Sequence, residues 1–159
     1  MANTSLMRRE VEDHVRSVLT ERYRQAFGAT RLRLRSGGSH EFDAVSVDGS
    51  VVVSIKSASG LTAGGKNPSG KIKDCIAELY FLSLVDVPTR ILVLTTPEFH
   101  QLFVKQMAGA VADGLTIECC PLPVDLQKKV NEVVKLASAE VSPGRRAEAV
   151  AVEVESEIT

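Results

Sequence analysis

The sequence predicts an α/β fold, a mixed β-sheet flanked by helices. Three observations carry this. Apolar residues recur at helical spacing in four stretches, short apolar or alternating runs lie between them, and the resulting order is α-β-β-β-α-β-α-β-α. A run of hairpin strands followed by two β-α units implies antiparallel strands on one side of the sheet and parallel strands on the other. The chain has 159 residues, of which 44% are apolar and 25% charged. That is globular composition, and a domain of this size buries roughly 70% of the surface its unfolded chain exposes. We expect one domain over residues 1–139 and an acidic tail over 140–159.

Residues 5–27 place Met7, Val11, Val15, Val18 and Ala26 on one stripe, with Ser5 as N-cap and Gly28 as stop. "RLRLR", Arg31 to Arg35, alternates with period two, so Leu32 and Leu34 face inward and three arginines face out. Ser36-Gly37-Gly38-Ser39 is a loop, and "SHEFDAVSVDGSVVVSIKSAS" reads as a hairpin. A Gly/Ser/Lys-rich loop leads to a helix at about 70–85, and "RILVLT" is a buried strand. Thr96 caps the next helix, with Pro97 in its first turn. "LTIECC" is a strand, and Pro121 and Pro123 introduce a last helix reaching about Ser138.

Net charge is −1, but unevenly spread. Residues 1–73 hold 12 Lys and Arg against 7 Asp and Glu, whereas 74–159 hold 7 against 13. A basic first half hints at a nucleic-acid-facing surface. No apolar run approaches the ~18 residues of a membrane span, so no membrane partner is expected. The first residues lack the apolar core of an export signal. Cys75, Cys119 and Cys120 show neither CxxC nor zinc spacing. They are expected to be reduced, buried thiols in a cytoplasmic protein.

Asp48-Gly49 is a two-residue hairpin signal of type I′, a turn that needs positive φ at both positions. Counting outward pairs Val45 with Val52, Asp43 with Ser54 and Glu41 with Lys56. Opposed residues share a face, so Glu41, Asp43, Ser54 and Lys56 gather at the open end. Phe42, Ala44, Val51, Val53 and Ile55 take the other face. Carboxylates at a strand end suit Mg²⁺, and a lysine beside them can orient water and stabilise phosphate charge. A plain Glu41–Lys56 cross-strand pair is the simpler alternative.

An aspartate on one strand, a partner strand ending in acid-x-Lys and this element order resemble the PD-(D/E)XK nuclease superfamily. It includes type II restriction enzymes and archaeal Holliday junction resolvases. The resemblance covers about residues 5–96 and implies a restriction-endonuclease-like αβββαβ core. It also implies Mg²⁺- or Mn²⁺-dependent DNA endonuclease activity in repair, recombination or defence, and in many relatives a homodimer. Asp43 matches the metal-binding aspartate and Lys56 the catalytic lysine. Glu10 matches the glutamate often contributed by the first helix, with Glu21 as a second choice. "SIK" departs from the pattern, because Ser54 stands where the strand acid belongs. Some restriction-enzyme relatives supply that acid from the following helix. Glu78, or Asp74 one turn earlier, would do so here, and Glu41 is a further metal ligand by position. The alternative is a module that has lost a ligand and only binds nucleic acid or protein.

"GKNPSGKI", Gly65 to Ile72, nearly matches a nucleotide-binding phosphate loop, but Ile72 stands where that loop needs Ser or Thr. A basic loop fits better. Lys66, Lys71 and Lys73 near a helix N-terminus, with Arg33 and Arg35, are the expected nucleic-acid contacts. His14 and His100 lack partners at metal spacing, while His40 flanks Glu41 just before its strand.

Overall fold

The computed structural model describes residues 4–57 and 68–136. Arg9–Leu122 form one compact unit, and the described residues 4–8 and 123–136 belong to another. In the second unit, residues 124–136 are helical. Residues 65–67 of the Gly65–Lys71 loop, Lys66 among them, and the 140–159 tail lie outside the described residues.

The elements are α1 (Thr4–Tyr23), β1 (Phe27–Arg33), β2 (Ser39–Ser46), β3 (Val51–Lys56), α2 (Ser69–Ser83), β4 (Thr89–Leu94), α3 (Pro97–Gln106) and β5 (Leu115–Cys119). They form one five-stranded sheet in sequential order, β1 to β5. The pairs β1–β2 and β2–β3 are antiparallel, and β3–β4 and β4–β5 parallel. This is the mixed sheet with flanking helices that the element order predicts.

β3 and β4 are central because they are apolar on both faces. All residues from Val51 to Ile55 and from Ile91 to Leu94 are buried. One face is covered by α2 and α3. Ile72, Cys75, Leu79 and Leu82 recur at helical spacing and meet Val45, Val52, Leu92 and Leu94 of the sheet, with Phe99 and Phe103 of α3 completing this core. Each fully buried Phe or Leu contributes about 1.5–3 kcal/mol by leaving water. Pro97 opens α3, where its missing N–H costs no helical hydrogen bond.

The other face belongs to α1. Val93 pairs with Glu118 and Ile55 with Val93, so these side chains share a face. Arg22 of α1 reaches Glu118 at 2.8 Å, which sets the helix on that side. Its buried stripe is Val11, Val15 and Leu19, with Leu19 in the place expected for Val18. The helix also ends earlier than expected. Arg24 adopts a left-handed φ of 56°, and by Phe27 the chain is strand.

β2 carries a bulge that the sequence does not announce. Gly28 pairs with Val45 but Thr30 with Phe42, so three steps on β2 oppose two on β1. The extra residue reverses the alternation beyond it. Phe42 joins the core under α2 with Val45, whereas simple alternation places the two on opposite faces.

The hairpin keeps the expected register near the turn, Val45 opposite Val52 and Ala44 opposite Val53, but the expected pairs Asp43–Ser54 and Glu41–Lys56 are not among its paired residues. Its turn is not type I′. Gly49 has φ 75°, and it is the only hairpin-turn residue with positive φ. The Gly49 N–H bonds the Ser46 carbonyl at 2.9 Å, so Val47 and Asp48 form an ordinary turn and glycine takes the left-handed step. Val47 is therefore an exposed turn residue rather than a strand residue.

Candidate functional site

The open end of the hairpin is organised by Asp43, Ser54, Lys56, Glu78 and His40. Beyond Ala44 and Val53 the two strands cease to pair directly. Asp43 lies in the bulge, and its Oδ2 accepts the Ile55 N–H at 2.7 Å. The carboxylate thus occupies the seam between β2 and β3, replacing a ladder carbonyl. Its own carbonyl accepts Nε of Arg16 at 2.9 Å. Arg16 is held on α1 by Glu12 at 3.1 Å and Asp13 at 2.9 Å.

Ser54 and Lys56 are two apart on β3 and point to the α2 side. Ser54 is fully buried, and its hydroxyl donates to Glu78 Oε2 at 2.9 Å. Glu78 reaches it because it precedes Leu79 on the inner side of α2, where Cys75, Leu79 and Leu82 fix the helix rotation. His40 Nε2 lies 3.2 Å from the same oxygen, and Lys56 Nζ lies 3.8 Å from Oε1. The Glu78 side chain retains 17% of its exposure and Lys56 32%, so the group is largely covered but not sealed from water. The ring of His40 stacks on Phe81 at 3.9 Å and 8° and meets the edge of Phe42 at 4.9 Å.

Of the residues expected here, Lys56 and Glu78 come together, and Asp43 engages the residue between Ser54 and Lys56. Glu41 does not join them. His40 and Phe42 face α2, so the intervening Glu41 points the other way, opposite Arg31 and exposed. The bulge is the reason. Glu10 is exposed on α1, about 9 Å along the axis from Arg16 at 1.5 Å per residue. Glu12, bonded to Arg16, is the first-helix glutamate tied to Asp43. Asp74, one turn before Glu78, is exposed. Lys71 and Lys73 are exposed in the first turns of α2, as is Arg33 on β1. Arg35 is exposed too, and pairs with Asp86 at 2.8 Å.

Arg16 is the residue that sequence reasoning left out, and His40 is marked there only by its place beside Glu41. His40 shares the parity of Phe42, but only the bulge turns that parity toward Glu78. Arg16 neighbours the buried Val15 on α1, and nothing in the sequence aims it at a strand carbonyl.

The thiols are not reactive groups of this site. Burial pushes Cys75 up to about 12 and raises Cys119 and Cys120 as well, so all three stay protonated near neutrality.

Among the described residues, no three of His, Cys, Asp and Glu stand together as a preformed metal cage. Mg²⁺ is ordinarily held by one or two carboxylates together with waters and substrate phosphates, and Asp43 and Glu78 engage the adjoining residues Ile55 and Ser54. No helix is long and apolar enough to cross a membrane among the described residues. No family model, no curated protein and no solved structure matches the chain.

Proposed function

We propose that this protein is a metal-dependent DNA endonuclease of the PD-(D/E)XK type, with the second acid supplied by a helix. One observation supports this most. Glu78 of α2 meets Ser54 at 2.9 Å and lies beside Lys56, which puts a carboxylate where the strand lacks one. Asp43 and Glu78 would hold Mg²⁺ or Mn²⁺. When bound, the cation supplies Lewis-acid stabilisation of a phosphate oxygen and a more acidic water. The Lys56 ammonium orients the attacking water and offsets the charge that builds on the phosphate during in-line displacement. Ser54 orients Glu78 and takes no part in the chemistry. Lys71, Lys73, Arg33 and Arg35, with Lys66, supply backbone contacts that position DNA without reading its sequence.

The reading carries with it a DNA partner, a homodimer where two strands are cut, and a reducing cytoplasmic setting for the three thiols. It is tested by incubating the protein with plasmid, linear and branched DNA in Mg²⁺ or Mn²⁺ and scoring cleavage and binding separately.

One observation favours a second reading. The Glu78 carboxylate is already met by Ser54, His40 and Lys56, as a structural network would be. A non-catalytic nucleic-acid- or protein-binding module on this fold would bind DNA without cleaving it, and would be indifferent to either cation.

A further inference from the structure

Tyr80 stands on the outer side of α2 with 61% of its surface exposed, and Ile76, one turn earlier, with 42%. A helix packed on a core ordinarily turns polar groups that way. Lys73 is exposed on the same side, since residues three, four and seven apart share a helix face. It lies about 10 Å before Tyr80 along the axis, at 1.5 Å per residue. Arg35 approaches from the other end. Its guanidinium donates to the Ser83 carbonyl at 3.0 Å, one turn past Tyr80, and its side chain stays 56% exposed while paired with Asp86. Cations thus flank an exposed ring on both sides. The acids of the helix point elsewhere: Glu78 turns inward to Ser54, and Asp74 lies about 100° around the helix from Lys73. The ring is also braced. It is tilted against Phe81 with centroids 5.9 Å apart, and Phe81 is stacked on His40 at 3.9 Å.

We propose that this side of α2 binds single-stranded nucleic acid, with an unpaired base stacked on Tyr80 and the neighbouring phosphates on Lys73 and Arg35. Proteins that hold single strands combine a cationic track for the backbone with aromatic rings under the bases. A duplex keeps its bases stacked on one another, whereas an unpaired base has a free π-face for a side chain. The charges select this occupant. An apolar partner surface gains nothing from two cations beside its contact, while each phosphate gains an opposite charge. The inference names a substrate class for the nuclease reading, DNA with unpaired nucleotides, and its bearing on cleavage rests on that reading.

The test is binding of the full chain to a labelled oligothymidylate and to the duplex it forms with its complement, in chelator so that nothing is cleaved. The chain has two tyrosines and no tryptophan, so in Tyr23→Phe the tyrosine emission reports on Tyr80 alone. The single strand should quench that emission and bind more tightly than the duplex. Tyr80→Ala should weaken single-strand binding about 10-fold or more, with duplex binding changed less than about 2-fold. Tyr80→Phe should restore it, because the phenyl ring keeps the stacking face. Unquenched emission, or a Tyr80→Ala protein that binds single strands as the wild type does, overturns the proposal. So does self-association that Tyr80→Ala abolishes while oligonucleotide binding stays unchanged, which would assign this face to a second copy. If Tyr80→Ala fails to fold, the quench in Tyr23→Phe decides. Tyr80-dependent single-strand binding without cleavage of any DNA in Mg²⁺ or Mn²⁺ would sink the nuclease reading and leave this site standing. Cleavage by a protein whose Tyr80→Ala variant binds and cuts every substrate at the wild-type level would do the reverse.

Discussion

Ser54 donates its hydroxyl to Oε2 of Glu78 across 2.9 Å, joining the end of β3 to the inner side of α2. Ser54 is fully buried, so the contact is shielded from competing water. It gives the serine of "SIK" a physical role, the placement of a carboxylate that another element supplies.

Ser54→Ala should therefore lower stability by about 2 kcal/mol, the range for a hydrogen bond to a charged group, with smaller effect on cleavage. Urea titrations at neutral pH measure the first, and single-turnover cleavage the second. Ser54→Glu combined with Glu78→Ala should recover part of the activity by returning the acid to the strand. Ser54→Glu alone sets two carboxylates together and should be less stable than either parent.

Asp48 makes a pH-dependent contribution at the hairpin turn. Its carboxylate accepts the Ser50 N–H at 2.9 Å and the Ser50 hydroxyl at 2.7 Å, with Ser46 and Gln25 adding to these. These bonds, led by the Ser50 backbone N–H, hold it well below the usual carboxylate range. The unfolded chain then takes up the proton more readily than the folded one. The stabilisation is complete above the ordinary aspartate value of about 3.9 and is lost as pH falls toward the folded value. The stability difference between wild type and Asp48→Asn should be flat above about pH 5 and shrink toward about pH 2. A difference independent of pH would assign the turn's stability to its shape alone.

Arg16 ties α1 to the carbonyl of Asp43 at 2.9 Å. Arg16→Ala should loosen the bulge, and amide exchange at Ile55, whose N–H is held by Asp43 at 2.7 Å, should quicken about 10-fold or more if one such bond contributes about 1.5 kcal/mol. Arg16→Lys should rescue only partly, since a single ammonium cannot span Glu12, Asp13 and the carbonyl together. Unchanged exchange at Ile55 in the alanine variant would separate α1 from the site.

Much of this architecture is written in local pattern. The buried runs of β3 and β4, the Pro97 start of α3 and the register of Val45 on Val52 all follow from periodicity and turn residues. Glu78 is legible only through the resemblance, because nothing local links a helix residue to a serine 24 positions earlier. The bulge was not legible. It depends on how β1 and β2 fit each other's twist, a non-local property, and it moves every residue before it to the opposite face. That shift removes Glu41 from the site and brings in His40. For Glu10, the apolar stripe of α1 shows which residues face the sheet, but not which turn of the helix crosses Asp43.

Lys71 and Lys73 are exposed on the first turns of α2. If they meet DNA phosphates, replacing both by Ala should weaken binding to all sequences alike. The slope of log K against log salt should flatten by about 1 for each phosphate that is no longer neutralised. Filter-binding isotherms across a salt series measure both quantities, and an unchanged slope would make these lysines ordinary solvated charge.

The central claim is that Glu78 acts as the acid that β3 lacks. Its most direct measurement is the rate of plasmid cleavage in Mn²⁺ by wild type, Asp43→Ala and Glu78→Ala, each with its circular dichroism recorded to establish folding. Wild type should cleave, and both folded variants should lose cleavage to a similar extent. A folded Glu78→Ala protein that cleaves at the wild-type rate, or a wild type that cleaves no DNA with either cation, would contradict it.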